Sequence, residues 1–438
     1  MKRLWQDKYK PDYNPHVDKL TNGKITRNLR IGFSSYWFND QPTLDDYITK
    51  NSKEVLYLRE FFKLGYVYWL GLSPRGNKIP DHPRAIDCSY EFKERLPKWD
   101  KARFGTTPDY MRSCIEGYSK EYGINLPKLD LVYMNLMPTF VRRNARNYVL
   151  LHHYAINNNT IVLAYDPGLE LVYQGVKEYP KVGGRTAETD SGKLMNISGY
   201  DYRDKAAHLK MAPNMVHLVQ TGKWGLKTLR LGNPLLRFCT WWLPYDPLIV
   251  KELPISDQVR YRLAYVGNDN RRRNAFKKWF GPQPDGDVHI FGGNYRKDKQ
   301  DGASWPEVML NRFPNITFHN PVQIKNVAYV YNKCVGTMNL SVPPFEAVGE
   351  QVWRHIEAPF GGCPILSPST TKHAEKLSFD DSLVMQSPQE LTDTLETLAG
   401  DKELRTEIIE MQKEVIKKRY NMKVNLRHLF EEITDALS

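Results

Sequence analysis

The sequence is poor in cysteine, and its few cysteines are not grouped. Five of them are spread over 438 residues, without the paired spacing of a zinc site or a disulfide framework: Cys88, Cys114, Cys239, Cys334 and Cys363. No apolar run approaches the roughly 20 residues of a membrane-spanning helix. The charged first residues, MKRLWQDKYKPDYNPHVDK, lack the apolar core of a signal peptide. These absences predict a cytoplasmic protein with no metal centre and no membrane partner. A monomer is also expected.

What the sequence does have is an excess of positive charge. Its formal net charge is +12 and its isoelectric point is near 9.2. The N-terminal arm holds a cluster of cations: Lys2, Arg3, Lys8, Lys10, Lys19, Lys24, Arg27 and Arg30. This excess favours a polyanionic partner, with nucleic acid first and an anionic membrane surface second. Solubility alone is the alternative explanation, because a basic isoelectric point discriminates weakly.

Apolar segments of strand length alternate with amphipathic segments of helix length, which is typical of α/β domains. The first part of the chain gives predicted strands at 28–35, 65–72, 129–136, 160–166 and 215–221, and predicted helices at 52–65 and 142–159. The segment 170–212 lacks periodicity and is predicted to be an insertion.

A proline-rich linker, 241–254, precedes a second α/β set. Its predicted strands lie at 261–268, 287–293, 316–321, 334–341 and 363–369, and two or three helices follow over 387–437. The fold class is therefore α/β, with two Rossmann-like domains facing an interdomain cleft. We assign residues 1–245 to the first domain, with the basic arm and the 170–212 insertion, and residues 255–438 to the second, with the C-terminal helices.

The second domain opens with a candidate phosphate-binding loop, YVGNDNRRRNAFKKWF (265–280). A predicted strand ends at Gly267 and Asn268, where glycine permits close approach of a ligand to the backbone. The three arginines from Arg271 to Arg273 then open a helix, where cations oppose the helix dipole unless an anion lies nearby. The P-loop spacing with its Lys-Ser/Thr pair is absent, so this is not an NTPase loop. A solvated basic turn is the alternative.

A second motif, QVWRHIEAPFGGCPIL (351–366), places Arg354 and Glu357 three residues apart at a predicted helix start. A carboxylate here suits the two hydroxyls of a ribose, and the guanidinium suits a phosphate. An internal ion pair between the two side chains explains the spacing equally well, so both interpretations stay open.

Together these motifs resemble the GT-B glycosyltransferases that use nucleotide sugars, and among them the bacteriophage DNA β-glucosyltransferases. The counterparts of that family's motifs are YVG (265–267), IFGG (290–293), FHN (318–320) and RHIE (354–357), in the same order across about 260–370. The first domain is similar more faintly. SKEVLYLREFFKLG places Glu54 on the family's sugar-side glutamate, and TIVLAYDPGLEL places Asp166 on its catalytic aspartate.

The resemblance implies an inverting transfer of a sugar, with glucose expected, from a UDP-sugar to the hydroxyl of a 5-hydroxymethyl pyrimidine in double-stranded DNA. It implies Asp166 as the general base, with Glu54 beside it. The implied UDP-sugar site comprises Gly267, Asn268, Arg271, Arg273, Asn320, Val322, Arg354 and Glu357. Because the three arginines are contiguous, the one that faces the diphosphate stays open. Mg²⁺ or Mn²⁺ assisting the release of UDP also stays open.

For the DNA partner, the basic and aromatic composition of two segments indicates Lys8, Lys10, Arg203 and Lys205. The biological role implied is modification of bacteriophage DNA against restriction. Two alternatives remain: a GT-B enzyme with a cell-wall, protein or small-molecule acceptor, and a DNA-binding GT-B scaffold without catalysis. The presence of both Asp166 and Glu357 argues against the second.

Overall fold

A computed structural model describes residues 10–34, 53–71, 82–88, 126–135, 154–155, 158–165, 186–188, 194–196, 214–232, 236–267, 272–292 and 307–438. Among these residues the chain forms two parallel sheets. Both faces of such sheets are covered by helices, so their strands read as continuous apolar runs. The strands β5 (Ile161–Tyr165) and β8 (Met215–Val219) show this, because every residue of each is buried.

The first sheet has seven strands in the order β3-β2-β1-β4-β5-β8-β9, all paired in parallel. Its other strands are β1 (Leu29–Ser34), β2 (Gly65–Gly71), β3 (Ala85–Asp87), β4 (Leu131–Asn135) and β9 (Arg237–Thr240). Its helices include α1 (Pro15–Thr21), α2 (Lys53–Leu64) and α3 (Lys223–Gly232). Within the predicted insertion, β6 (Thr186–Glu188) and β7 (Leu194–Asn196) form an antiparallel pair.

The second sheet has six parallel strands in the order β12-β11-β10-β13-β14-β15. They are β10 (Tyr261–Val266), β11 (Val288–Phe291), β12 (Ile316–His319), β13 (Cys334–Met338), β14 (Ile365–Pro368) and β15 (Val384–Met385). The helices between them are α4 (Arg273–Trp279), α5 (Glu307–Arg312), α6 (Val327–Tyr331), α7 (Pro343–Val348), α8 (Arg354–Phe360) and α9 (Ala374–Ser378).

Three helices end the chain: α10 (Pro388–Gly400), α11 (Lys402–Arg419) and α12 (Met422–Leu437). The last of them returns to the first domain. Leu426, Leu429, Phe430 and Ile433 of α12 join the apolar core formed around β1, β2 and α2. No described helix combines the length and the apolar composition that a bilayer crossing requires.

The first four residues of the linker between the sheets, 241–244, are buried. Trp241 is fully enclosed in the first core, and Trp242 packs with Tyr420 of the C-terminal region. Direct hydrogen bonds also join the domains, because Thr221 Oγ1 donates to the carbonyl oxygens of Val348 and Gly349 at 2.8 and 3.0 Å. The amide of Gln351, three residues before α8, both accepts from Leu243 N at 2.8 Å and donates to Leu243 O at 3.3 Å.

The prediction of two Rossmann-like domains with C-terminal helices is confirmed. Each of the ten predicted strands is present, with ends shifted by at most three residues. Five of the described strands were not predicted, because they are too short to show a period: β3, β6, β7, β9 and β15. The predicted helix at 142–159 lies mostly outside the described residues.

Candidate active site

The point where strand order reverses in a doubly wound sheet is where such folds bind ligands, at the carboxyl ends of the strands. In the second sheet this switch point lies between the neighbouring strands β10 and β13. After β10 the following strands are added on one side of the sheet, and after β13 they are added on the other. The carboxyl ends there are Val266 and Gly267 on one side, and Met338 and Asn339 on the other. The side chain of Arg354 lies between these two ends.

Gly267 has a φ of +151°, a conformation that residues with a side chain rarely adopt. A Cβ atom at this position would lie 3.2 Å from Arg354 Nη2 and 3.0 Å from the ring of Tyr265. Glycine is therefore required here because the guanidinium and the tyrosine ring pass directly beside the backbone.

Arg354 begins α8 and is 8% exposed. Its Nη1 donates to Asn339 Oδ1 at 3.2 Å and its Nη2 donates to the carbonyl oxygen of Val266 at 2.9 Å. Its guanidinium also lies 4.0 Å from the ring centroid of Tyr265, a cation–π geometry. All of these contacts are with neutral groups, and no carboxylate pairs with Arg354 among the described residues. The guanidinium is therefore buried without a close ion pair among the described residues, although the charge of Glu357 on the same helix acts on it.

Glu357 lies one turn further along α8 and faces a different space. Its carboxylate has no hydrogen-bond or ion-pair partner among the described residues, and it borders a cavity of about 260 Å³. The cavity is walled by Pro247–Lys251 of the linker and by Lys325, Val327 and Ala328. Burial raises the pKa of Glu357 to about 7, and the attraction of Arg354 only partly opposes it. Among the described residues no cation forms an ion pair with this half-buried carboxylate, and its role in binding a ligand stays a prediction.

The two alternatives for Arg354 and Glu357 are thereby separated. The side chain of the first residue of a helix points back toward the N-terminus, so Arg354 reaches the strand ends of the second sheet. Glu357 remains at the cavity wall, and the two form no ion pair with each other. The interpretation as an internal ion pair is wrong.

The arginines that precede α4 are only partly described. Arg272 occupies the N-cap position of α4 without a side-chain capping bond, and its Nε donates to the carbonyl oxygen of Leu340 at 3.1 Å. Arg273 is the first helical residue. Leu340 follows β13, so Arg272 also approaches the switch point. Asn268 and Arg271 lie outside the described residues, and which arginine faces a diphosphate stays a prediction.

The predicted uracil contacts follow β12. Asn320 is exposed directly after the strand, and Val322 is partly buried against the apolar cluster that includes Val327 and Tyr331. Val327 borders the same cavity as Glu357, so this loop lies at the cavity. Both assignments stay predictions.

The switch point of the first sheet, between β1 and β4, holds Glu54. This residue lies in the first turn of α2, has no exposure, and accepts a hydrogen bond from Tyr133 Oη at 2.9 Å. Asp166 follows β5 and lies outside the described residues, as do Lys8, Arg203 and Lys205, whereas Lys10 is described and exposed. The roles of these residues stay predictions.

Sequence reasoning missed three residues of the site. Asn339 binds Arg354, and Lys251 and Lys325 border the cavity with Glu357. A signal for Asn339 was present, because it is a polar residue directly after an apolar strand, where ligand-binding residues collect in α/β folds. Lys251 and Lys325 carry no such signal.

Comparison with known proteins supports this architecture. Residues 271–431 match the family described as glycosyl transferase-like. No curated protein sequence matches the chain. The solved sucrose-phosphate synthase of Thermosynechococcus elongatus is similar in structure, with a TM-score of 0.53 at 13% identity over 94% of this chain and 99% of that one. T4 phage β-glucosyltransferase with its UDP-glucose substrate gives a TM-score of 0.50 at 11% identity over 94% and 100%. The apo structure of OtsA gives 0.52 at 11% over 93% and 99%.

These comparisons confirm the GT-B fold, and the family match confirms the prediction of a glycosyltransferase. The identities are too low to carry anything beyond the fold from the solved structures to this chain.

Proposed function

We propose that this GT-B glycosyltransferase moves a sugar, with glucose expected, from a UDP-sugar to the hydroxyl of a 5-hydroxymethyl pyrimidine in double-stranded DNA, with inversion. The donor half rests on one observation. Arg354, which is buried, and Glu357, which is half-buried, lie three residues apart on α8, and neither has an ion-pair partner among the described residues. An uncompensated buried charge is costly, so its persistence indicates a ligand that supplies the missing partner.

A nucleoside diphosphate supplies both partners. Its phosphates are the anion that Arg354 lacks, and its ribose hydroxyls are donors for the carboxylate of Glu357. The cavity of about 260 Å³ beside Glu357 is below the range of pockets that hold a whole drug-sized ligand, so it fits the nucleoside portion. T4 phage β-glucosyltransferase, which shares this fold, was solved with UDP-glucose.

The acceptor half rests on the distribution of charge between the domains. Residues 1–245 hold 37 Lys and Arg against 24 Asp and Glu, whereas residues 255–438 hold 24 of each kind. The excess positive charge therefore lies in the first domain, the one that binds the acceptor under this proposal. A polyanionic acceptor explains this asymmetry, because Lys and Arg neutralise phosphates and a neutral acceptor has none.

In this scheme Asp166 takes the proton of the hydroxymethyl group as its oxygen attacks the anomeric carbon. The bond from that carbon to the diphosphate breaks, and Arg354 stabilises the charge that gathers on UDP. The target base has to leave the DNA stack to reach an interdomain cleft. Glu54 is the second candidate for the base.

The deciding experiment incubates the protein with DNA containing 5-hydroxymethylcytosine or 5-hydroxymethyluracil and with a panel of UDP-sugars. Digestion to nucleosides and mass spectrometry then identify the base and the sugar, and a parallel reaction with EDTA tests whether Mg²⁺ or Mn²⁺ assists turnover. Unmodified DNA is the matched control. A new glycosylated nucleoside supports the proposal. If the UDP-sugar is only hydrolysed, or if the sugar is transferred only to acceptors other than DNA, the proposal of a DNA acceptor is wrong.

Salt dependence separates a DNA acceptor from a neutral one. Each neutralised phosphate contributes a slope of about −0.9 to log affinity against log salt, so four to six contacts weaken binding by roughly 10²–10³-fold between 50 and 200 mM. Deleting residues 1–9 should flatten the slope if the arm binds DNA. A longer deletion is unsuitable, because Asn14 donates to Lys63 O and Leu64 O and Val17 is fully buried. A wild-type affinity that does not change with salt contradicts the DNA proposal while leaving the donor site standing.

A further inference from the structure

Asn339 occupies the carboxyl end of β13, at the switch point, and has no exposed surface. Two donors fix the orientation of its amide. Arg354 Nη1 and Ser341 Oγ both lie 3.2 Å from its oxygen, Oδ1, and a guanidinium can only donate. The oxygen therefore faces Arg354, and the amide nitrogen, Nδ2, has no hydrogen-bond partner among the described residues.

Arg354 and Ser341 both donate hydrogen bonds at this position, so a side chain that accepts them is needed here. Asparagine is the uncharged choice of acceptor. Aspartate has the same shape as asparagine, would accept the same two hydrogen bonds, and would also give Arg354 a carboxylate. Charge-assisted bonds between Arg and a carboxylate are about twice as strong as neutral ones. The side chain that best suits the free protein is therefore not the one present.

We propose that Asn339 is a positioning residue that reserves Arg354 for the oxyanion of the donor. Its carbonyl oxygen holds the guanidinium at the strand ends without neutralising it. The positive charge of Arg354 is then completed only when the diphosphate of the nucleotide binds. This inference rests on the proposed donor site and adds a residue that sets its affinity and its preference for an anion.

The test is Asn339→Asp, with wild type and variant compared in two measurements. An aspartate here forms an internal ion pair with Arg354, so the melting temperature of the ligand-free protein should rise, by about 2 °C or more. The same ion pair occupies Arg354, so the affinity for UDP, measured by calorimetry, should fall by at least about tenfold. A residue with a merely structural role predicts that both quantities move in the same direction.

Ser387→Asp is the matched control, because it adds the same charge at the N-cap of α10, where serine accepts from Glu390 N and aspartate caps equally well. It should change neither quantity. Asn339→Ser is the second variant: it shortens the acceptor, so UDP affinity should fall with no gain in melting temperature.

Inorganic pyrophosphate is the second probe, since it offers the anion without the nucleoside. Its stabilisation of the wild-type protein should disappear in Asn339→Asp. An Asn339→Asp protein that melts below wild type, or that keeps wild-type affinity for UDP, overturns the inference while the donor site stands. A wild-type protein that binds neither UDP nor pyrophosphate ends the proposed function instead, and the melting temperature of Asn339→Asp still decides whether Asn339 leaves Arg354 unpaired.

Discussion

The two sheets carry opposite charges at the same structural position. At the switch point of the first sheet a carboxylate, Glu54, is buried and bound by the hydroxyl of Tyr133. At the switch point of the second sheet a guanidinium, Arg354, is buried and bound by the amide of Asn339. Each charge is held by a neutral side chain from the neighbouring strand. The two sheets thus enclose side chains of opposite charge at corresponding positions.

The net charge of each domain differs from the charge of the buried side chain at its switch point. The first domain holds the excess of Lys and Arg and yet encloses a carboxylate, whereas the second is neutral overall and encloses a cation. Long-range attraction of a polyanion and local chemistry at a reacting hydroxyl are separate requirements. Under the proposed function, surface charge would meet the first requirement and buried groups the second.

Of the substitutions that test this comparison of the two domains, Asp166→Asn should have the largest effect, on the rate of sugar transfer. Removal of a general base typically costs about 10²–10⁴-fold in rate, whereas the amide keeps the shape of the carboxylate. We expect transfer to be lost and UDP binding to stay unchanged, as measured by turnover on hydroxymethylated DNA and by calorimetry. If the variant keeps more than a tenth of wild-type turnover, Asp166 is not the general base, and Glu54, the buried carboxylate of the same domain, becomes the candidate.

On the donor side, Glu357→Gln should weaken UDP binding by roughly 10–100-fold, because hydrogen bonds to charged groups contribute about 1.5–3 kcal/mol each. The wild-type affinity should also fall as the pH is lowered through about 7, where Glu357 becomes protonated. The affinity of the variant should not show the pH dependence that comes from Glu357. The titration of UDP itself affects both proteins equally, so it cancels in the comparison. Calorimetry from pH 6 to 8 measures the difference.

The same pKa shift has a consequence for stability. The folded state raises the pKa of Glu357 above its ordinary 4.5, so it binds the proton more tightly than the unfolded chain does. Stability from this group is present at low pH and is lost as the pH rises through about 7. Glu357→Gln should therefore melt higher than wild type at pH 8 and nearly equally at pH 4, below the ordinary pKa of 4.5. An unchanged UDP affinity together with a lower melting temperature contradicts the ligand role.

The smallest effect concerns the contact between the two domains. Thr221→Val keeps the shape of the side chain and removes the hydroxyl that donates to Val348 and Gly349. One such bond contributes about 1 kcal/mol, so unfolding in urea should shift by that amount. Thr397→Val, on the exposed face of α10, loses only a bond to Asp393 O and serves as the control. An equal effect of the two variants indicates that the interdomain bond adds nothing.

Much of the fold could be predicted because parallel strands covered on both faces leave a continuous apolar signal. The strands around 161–165, 215–219 and 334–338 were found in this way. The short strands β3, β9 and β15 could not be found, because two to four residues show no period and their pairing depends on the neighbouring strand. The return of α12 to the first core left no local mark either.

For the site, the sequence by itself determined which residues were charged and where along the chain they stood: Arg354 and Glu357 on one helix, and glycine before the arginines of α4. Spacing along a helix places such a pair side by side, and nothing local to it distinguishes an ion pair from two ligand contacts. Only the tertiary structure decided this. It brought Val266 and Asn339, from strands about 70 residues apart, to the guanidinium, and it placed the linker opposite Glu357. Contacts between residues so far apart in sequence depend on strand order and domain packing. The sequence shows that a residue is charged, but these contacts determine its environment.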